Sequence, residues 1–105
     1  MQGALIGNSL HLINAFPSEI IIESLALDGN FEQIIGAETL TFLEECTSKL
    51  SVYGNSVECI DVRPGSILVD VRGTRAALYD VMTEVEYNGL DLPSFEKLTA
   101  TGVTE

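Results

Sequence analysis

The feature that most restricts the fold is a pair of extended runs, residues 57–62 and 67–71, separated by Arg63-Pro64-Gly65-Ser66. Proline, glycine and serine are turn-forming residues, and the β-branched residues on both sides favour strands. The second run alternates: one face carries Ile67, Val69 and Val71, and the other carries Leu68, Asp70 and Arg72. Successive side chains of a strand point to opposite faces, so we predict a hairpin whose first set faces the core.

A strand is also predicted before this hairpin, at residues 19–27, which are rich in isoleucine and leucine and end at Asp28-Gly29-Asn30. A second strand-like run, residues 10–16, precedes it and is separated from it by Pro17-Ser18. From residue 31 to residue 50 the apolar residues recur at helical spacing, and Gly36 marks a break in the first turns.

After the hairpin, Thr74 is predicted to cap a second helix, and Asn88-Gly89 is predicted to end it. A last extended piece is predicted at residues 95–101. The core is expected to pack Ile67, Val69 and Val71 against both helix stripes, which comprise Leu43, Cys46, Leu78, Val81, Met82 and Val85. The order strand, helix, strand, strand, helix, strand predicts an α+β, ferredoxin-like split βαβ sandwich, with two helices on one face of a four-stranded antiparallel sheet.

The chain length of 105 residues fits a single domain, with residues 1–18 as an extra strand or arm. Sixteen acidic side chains against five basic ones give a net charge of −11, and acids outnumber bases in both halves. This balance excludes nucleic acids and anionic membrane surfaces as partners, because no basic patch is present to bind phosphates. No apolar run approaches the ~20 residues of a membrane span, and no basic n-region of a signal peptide begins the chain, so we expect a soluble segment.

The two cysteines, Cys46 and Cys59, are too few for the framework of a small secreted module, so we predict two buried thiols, which are reduced and unpaired if the domain is intracellular. The absence of Asn-x-Ser/Thr acceptors also favours an intracellular location. The cysteine count and the absence of glycosylation acceptors together predict a cytoplasmic, cytoskeleton-associated protein, with an extracellular location as the alternative.

No constellation typical of an enzyme is found in the sequence. His11 is the only histidine, and nothing near it suggests a nucleophile and its base. The stretch from Asp28 begins like a calcium loop, but Gln33 stands at its sixth position and Thr39 at its twelfth. Two cysteines thirteen residues apart without a nearby histidine do not make a zinc site. We therefore predict no enzymatic activity, no metal and no cofactor.

The predicted interaction site is an exposed edge of the sheet or its uncovered face. Strand alternation points Asp61, Asp70 and Arg72 away from the predicted helices, so these are the candidate partner-binding residues. The negative charge favours a basic segment of another protein as the partner. Self-association is the alternative, because residues 10–16 could pair as a strand between two copies.

Two resemblances add to this reading. The segment Arg63-Pro64-Gly65-Ser66-Ile67-Leu68-Val69 resembles the Gly-Ser-Val-Val-Val segment of SEA domains, which have a ferredoxin-like fold. That resemblance implies autoproteolysis between Gly65 and Ser66, with transfer of the Gly65 acyl group to the Ser66 hydroxyl and hydrolysis of the ester. Over about residues 20–72 the pattern is similar to the conserved domain of kinetoplastid flagellum attachment zone proteins, with Phe31 where that family usually has tryptophan.

The sequence therefore favours a non-enzymatic protein–protein interaction module of a larger cytoskeletal, flagellum-attachment or adhesion protein. The alternative is an extracellular SEA domain in which Gly65 and Ser66 carry out autoproteolysis. A small-molecule sensor of the ferredoxin-like type is a third class, which would require a pocket that the sequence does not specify.

Overall fold

The computed structural model describes residues 18–101 and has an α+β architecture. Its elements in chain order are β1 (Ile20–Leu27), α1 (Phe31–Ile34), α2 (Thr39–Leu50), a 3-10 turn (Ser51–Tyr53), β2 (Glu58–Arg63), β3 (Ile67–Thr74) and α3 (Arg75–Asn88). The predicted run 10–16, His11 and all but the last residue of the predicted arm 1–18 lie outside the described residues.

The strands form an antiparallel sheet of three in the order β1-β3-β2, so the predicted hairpin strand β3 lies in the middle. Val69 of β3 is in register with Leu25 of β1 and with Val62 of β2. The register between β2 and β3 shifts between Cys59 and Asp61, which is a β-bulge. The alternation of apolar residues along β3 thus sets one face of the whole sheet.

The described residues do not form the fourth strand that was predicted at residues 95–101. Leu98 exchanges both of its backbone hydrogen bonds with Leu90, at 2.7 and 2.9 Å, in an isolated bridge. Only the residues after it are left to pair with β1, and they form a single bridge between Leu27 and Ala100. Because Leu98 pairs with Leu90 and not with β1, too few residues remain after it to form a full edge strand beside β1.

Local sequence signals determine where the helices begin and end. Gly36 has a φ of 53°, a left-handed conformation that separates α1 from α2, as the sequence predicts. The Thr74 hydroxyl accepts a hydrogen bond from the backbone N–H of Ala77 at 3.1 Å and caps α3, which confirms the predicted cap. Gly89, with a φ of 75°, follows the last residue of α3, which confirms the predicted stop.

The core lies where the sequence predicts it. Ile67, Val69 and Val71 are fully buried in one cluster with residues of both long helices. Helix α2 packs against β2, and α3 packs against β3 and β1. The segment after α3 joins the core through Phe95, whose ring packs edge-on against Phe42 of α2 with centroids 5.2 Å apart.

The prediction of two free thiols is wrong, because Cys46 of α2 and Cys59 of β2 form a disulfide with their Cα atoms 6.0 Å apart. Both side chains are buried on facing elements. The sequence gives their separation along the chain, but not the packing of α2 against β2 that places them together. A covalent bond thus links the helix to the edge of the sheet.

Between residues 18 and 101, no helix combines the length and the apolar character needed to cross a membrane.

Candidate interaction surface

A hydrogen-bonded network joins all three strands on the sheet face opposite the buried set. The Ser24 hydroxyl of β1 donates to Asp70 Oδ1 of β3 at 2.7 Å. Arg63 of β2 donates through Nη2 to the same carboxylate oxygen at 2.7 Å and to Ser24 Oγ at 3.3 Å. The bond from Ser24 and then the bond from Arg63 hold the pKa of the Asp70 carboxyl below its ordinary value of 3.8, although partial burial opposes them.

Two further ion pairs lie along the sheet. Arg72 of β3 pairs with Glu58 of β2, its register partner. Arg75, the first residue of α3, pairs with Glu19 at 3.1 Å. Their side chains are 36% exposed or more, so each pair contributes little to stability, at most about 1 kcal/mol. Together with the Arg63–Asp70 pair, they engage all three arginines of the chain with acids of the same domain.

The three predicted partner-binding residues therefore differ in what they can offer. Asp70 and Arg72 lie on the open face, but both are engaged in the pairs just described. Asp61 is exposed at the bulge, and its Oδ1 accepts the backbone N–H of Val62 at 3.0 Å. Of the three, only Asp61 is exposed and outside an ion pair.

The outer edge of β2 is closed to strand addition. The N–H of Cys59, which points away from β3, donates to Thr47 Oγ1 of α2 at 2.9 Å. The N–H of Val62 on the same side donates to Asp61 Oδ1. With these donors engaged and a bulge between them, a further strand would find no regular ladder at this edge.

The other edge of the sheet, at β1, has backbone hydrogen-bond partners within the described part of the chain at its C-terminal end but not at its start. At the C-terminal end, the N–H of Asp28 donates to Thr99 O at 2.8 Å, and Ala26 O accepts the N–H of Thr101 at 3.0 Å. Backbone groups alternate along a strand, so the N–H and C=O of Ile20 and Ile22 point to this same outer side. No hydrogen bond from any residue in 18–101 reaches those groups.

The side chains at this open stretch are apolar and exposed. Ile20 is 52% and Ile22 is 57% exposed, and both lie on the open face in register with β3 residues Thr74 and Arg72. The stretch 20–23, in which the outward backbone groups of Ile20 and Ile22 have no partner among residues 18–101, is called the open edge below. Sequence reasoning predicted the strand here but missed the open edge, because the order of the strands and the closure of β2 are tertiary features.

Gly65 and Ser66, between which the alternative hypothesis places autoproteolysis, lie at the tip of the β2–β3 hairpin. Pro64, Gly65 and Ser66 form the exposed turn that the sequence predicts. Gly65 has a φ of 107°, and a Cβ atom placed there would meet nothing within 4 Å. The tip is thus open to solvent and has a backbone conformation that favours glycine.

Within residues 18–101, no three acidic, histidine or cysteine side chains are grouped so that they could hold a metal ion. No family model, curated protein or solved structure matches the chain.

Proposed function

We propose that this chain is a non-enzymatic protein–protein interaction module with a ferredoxin-like, SEA-like arrangement, and that it works as part of a larger cytoskeletal or adhesion protein. Its binding site is the open edge, where an extended segment of a partner adds to the sheet beside β1. In the ferredoxin-like arrangement both long helices cover one face, and the segment at 98–101 takes the place of the fourth strand beside the end of β1.

The observation that carries this proposal is the contrast between the two edges of the sheet. The outward N–H groups of β2 are bonded to Thr47 and Asp61, whereas Ile20 and Ile22 have exposed side chains and outward backbone groups that no residue in 18–101 bonds. Main-chain hydrogen bonds would give affinity in strand addition, and contacts with the isoleucines would give selectivity.

The charge of the domain identifies the kind of segment that fits. Glu23 lies in the open edge and is exposed, and the whole chain carries a net charge of −11. A second copy of β1 would bring the same acidic residues to this edge, while a segment that alternates basic and apolar residues complements both the charge and the isoleucines. The partner is therefore a basic, strand-forming segment of another protein.

The test uses a short peptide of alternating lysine and valine as the probe, with a glutamate–valine peptide of equal length as its control. Binding is followed by NMR through the amides of Ile20 and Ile22. We expect saturable shifts and slower hydrogen exchange at these amides with the lysine peptide, and no response to the glutamate peptide. Equal responses to both peptides, or none to either, would refute the proposal.

Two variants at Ile22 and one control variant on α2 distinguish binding at the open edge from general surface effects. Ile22→Pro removes an outward N–H without breaking the β1–β3 ladder, so the domain should fold and lose the probe. Ile22→Ser should weaken binding, whereas Leu40→Ser, which changes another exposed aliphatic residue on α2, should leave it unchanged. Sedimentation of the free protein tests self-association: a dimer abolished by Ile22→Pro would assign the open edge to a second copy instead.

The alternative, an extracellular SEA-like domain cleaved at Gly65-Ser66, is favoured by a specific observation. The Cys46–Cys59 disulfide is typical of proteins that fold in an oxidising compartment, and the hairpin tip is exposed. In the implied reaction Ser66 Oγ attacks the Gly65 carbonyl carbon, and the peptide C–N bond breaks to give an ester and the free amine of Ser66. Water then hydrolyses the ester to a Gly65 carboxylate and the Ser66 hydroxyl.

A denaturing gel of the purified domain distinguishes the two functions. Two fragments that meet between residues 65 and 66, which disappear in Ser66→Ala, would support the extracellular domain. One intact band of 11.3 kDa in both proteins would support the uncleaved interaction module.

A further inference from the structure

The two lysines of the chain line one groove on the side of the domain formed by the helix ends. The groove, called the lysine groove below, lies between the end of α2 with its 3-10 turn, the end of α3 and the segment that follows. It encloses about 420 Å³, and its walls include Lys49, Tyr53, Glu84 and Lys97. Its volume falls within the range of small-ligand sites, which is roughly 300–1,000 Å³.

The lysines are the only basic side chains in residues 18–101 that have no ion-pair partner. The three arginines pair with Asp70, Glu58 and Glu19, as described above. Neither Lys49 nor Lys97 has a carboxylate oxygen within 4.0 Å in the same part of the chain. In a chain with net charge −11, both free cations thus line the same cavity.

The local backbone fixes the position of Lys97. Gly89 ends α3, and the bridge between Leu90 and Leu98 turns the following segment back toward the helix. A Cβ atom at Gly89 would lie 3.3 Å from Lys97 Cε, so the lysine stem passes over this glycine. Lys97 thus lies beside the end of α3, where it is exposed and lines the groove.

One of the two acids of the groove is engaged by a neighbouring side chain, and the lining of the groove is partly polar and partly apolar. The Asn88 amide donates to Glu84 Oε2 at 2.6 Å, and Asp91 is exposed at the rim. The accessible apolar surface of the walls comes from Val52, which is 78% exposed, and from the half-buried ring of Tyr53, because Leu50, Val85 and Leu90 are each only 1% exposed. Burial, and then the charges of Glu84 and Asp80, raise the pKa of the Tyr53 phenol above its ordinary value of 10.0.

We infer that the lysine groove binds a small organic carboxylate with an apolar body, with the carboxylate between Lys49 and Lys97 and the apolar part against Val52 and the ring of Tyr53. Charge-assisted hydrogen bonds from the two ammonium groups would orient the ligand, and the phenol of Tyr53 adds a neutral donor. A phosphate without an apolar body would leave the exposed side chain of Val52 uncovered. The inference is independent of the open edge, which lies on β1.

The probe is 3-phenylpropanoate, and 3-phenylpropanol is its uncharged control. NMR titration of the amides around Val52, Tyr53 and Leu90 should give saturable shifts with a Kd on the order of millimolar, as ligand efficiencies for about eleven atoms imply. The alcohol should bind several-fold more weakly, and inorganic phosphate should give no shifts at the apolar positions. Equal binding of acid and alcohol, or saturation by phosphate alone, would overturn the inference.

Substitution of the cations gives the second test. Lys49→Gln and Lys97→Gln should each weaken the carboxylate about twofold to fivefold, as expected for exposed charge pairs, and should leave the alcohol unaffected. Arg72→Gln, which removes a cation from the sheet face, is the matched control and should change neither. Raising the salt concentration on the unaltered protein should weaken only the acid. Unchanged carboxylate affinity in the Lys49→Gln/Lys97→Gln double variant would refute the site.

Discussion

Reduction of the Cys46–Cys59 disulfide should lower the stability of the domain without unfolding it at room temperature. The two cysteines are thirteen residues apart, and a closed loop of about 15 residues constrains the unfolded chain by about 3 kcal/mol. For a domain of this size, 1 kcal/mol corresponds to roughly 4–8 °C in Tm. Reductant should therefore lower Tm by about 12–24 °C, while the reduced thiols remain packed as small apolar side chains.

Circular dichroism melting with and without a phosphine reductant measures this shift. The double variant Cys46→Ala/Cys59→Ala is the control, because its Tm should lie near that of the reduced protein and should not respond to reductant. Alkylation under denaturing conditions counts the thiols independently: we expect no adducts before reduction and two after it. Two adducts in the unreduced protein, or an equal effect of reductant on the double variant, would refute the reasoning.

Three further predictions concern the fold. Val69→Asp places an unpaired carboxylate in the core and should unfold the domain in a thermal melt, whereas Val52→Asp, at a position 78% exposed, should change stability by less than about 0.5 kcal/mol. The lowered pKa of Asp70 means that its contribution to stability is complete above pH 3.8 and is lost as pH falls through the lower folded value. The free energy of unfolding, measured by urea titration at several pH values, should therefore fall less between about pH 4 and pH 2 in Asp70→Asn than in the unaltered protein. An equal fall in both proteins would contradict this. Gly89→Ala should destabilise the domain more than Gly65→Ala. Both glycines have a positive φ, but only a Cβ atom at Gly89 would meet a backbone carbonyl oxygen, that of Leu98, at 2.4 Å. Equal urea midpoints of the two variants would contradict this clash.

Periodicity and turn chemistry were sufficient to predict much of the fold. The alternation along β3 identified its buried face, and Thr74 and Gly89 identified both ends of α3. These signals are local, since each depends on residues within one or two turns of the backbone. The same kind of signal gave the break in the first helical region at Gly36.

The features that the sequence did not predict depend on contacts between distant segments. The disulfide requires α2 to lie against β2, and the loss of the fourth strand follows from the bridge between Leu90 and Leu98. The engagement of Asp70 by Ser24 and Arg63 requires the strand order as well as the alternation. Alternation indicates which side chains leave the core, but not which of them find partners on the neighbouring strand.

The closure of the β2 edge limits the kind of assembly that strand pairing can build. A fibre or filament made by edge pairing needs two free edges on every subunit, so that each copy can join one neighbour on each side. Here Thr47 and Asp61 engage the outward N–H groups of β2, and the bulge interrupts its ladder. Pairing at β1 can then join this domain to one strand only. Such assemblies end at a single added strand or at a closed dimer, so the sheet cannot extend into a polymer.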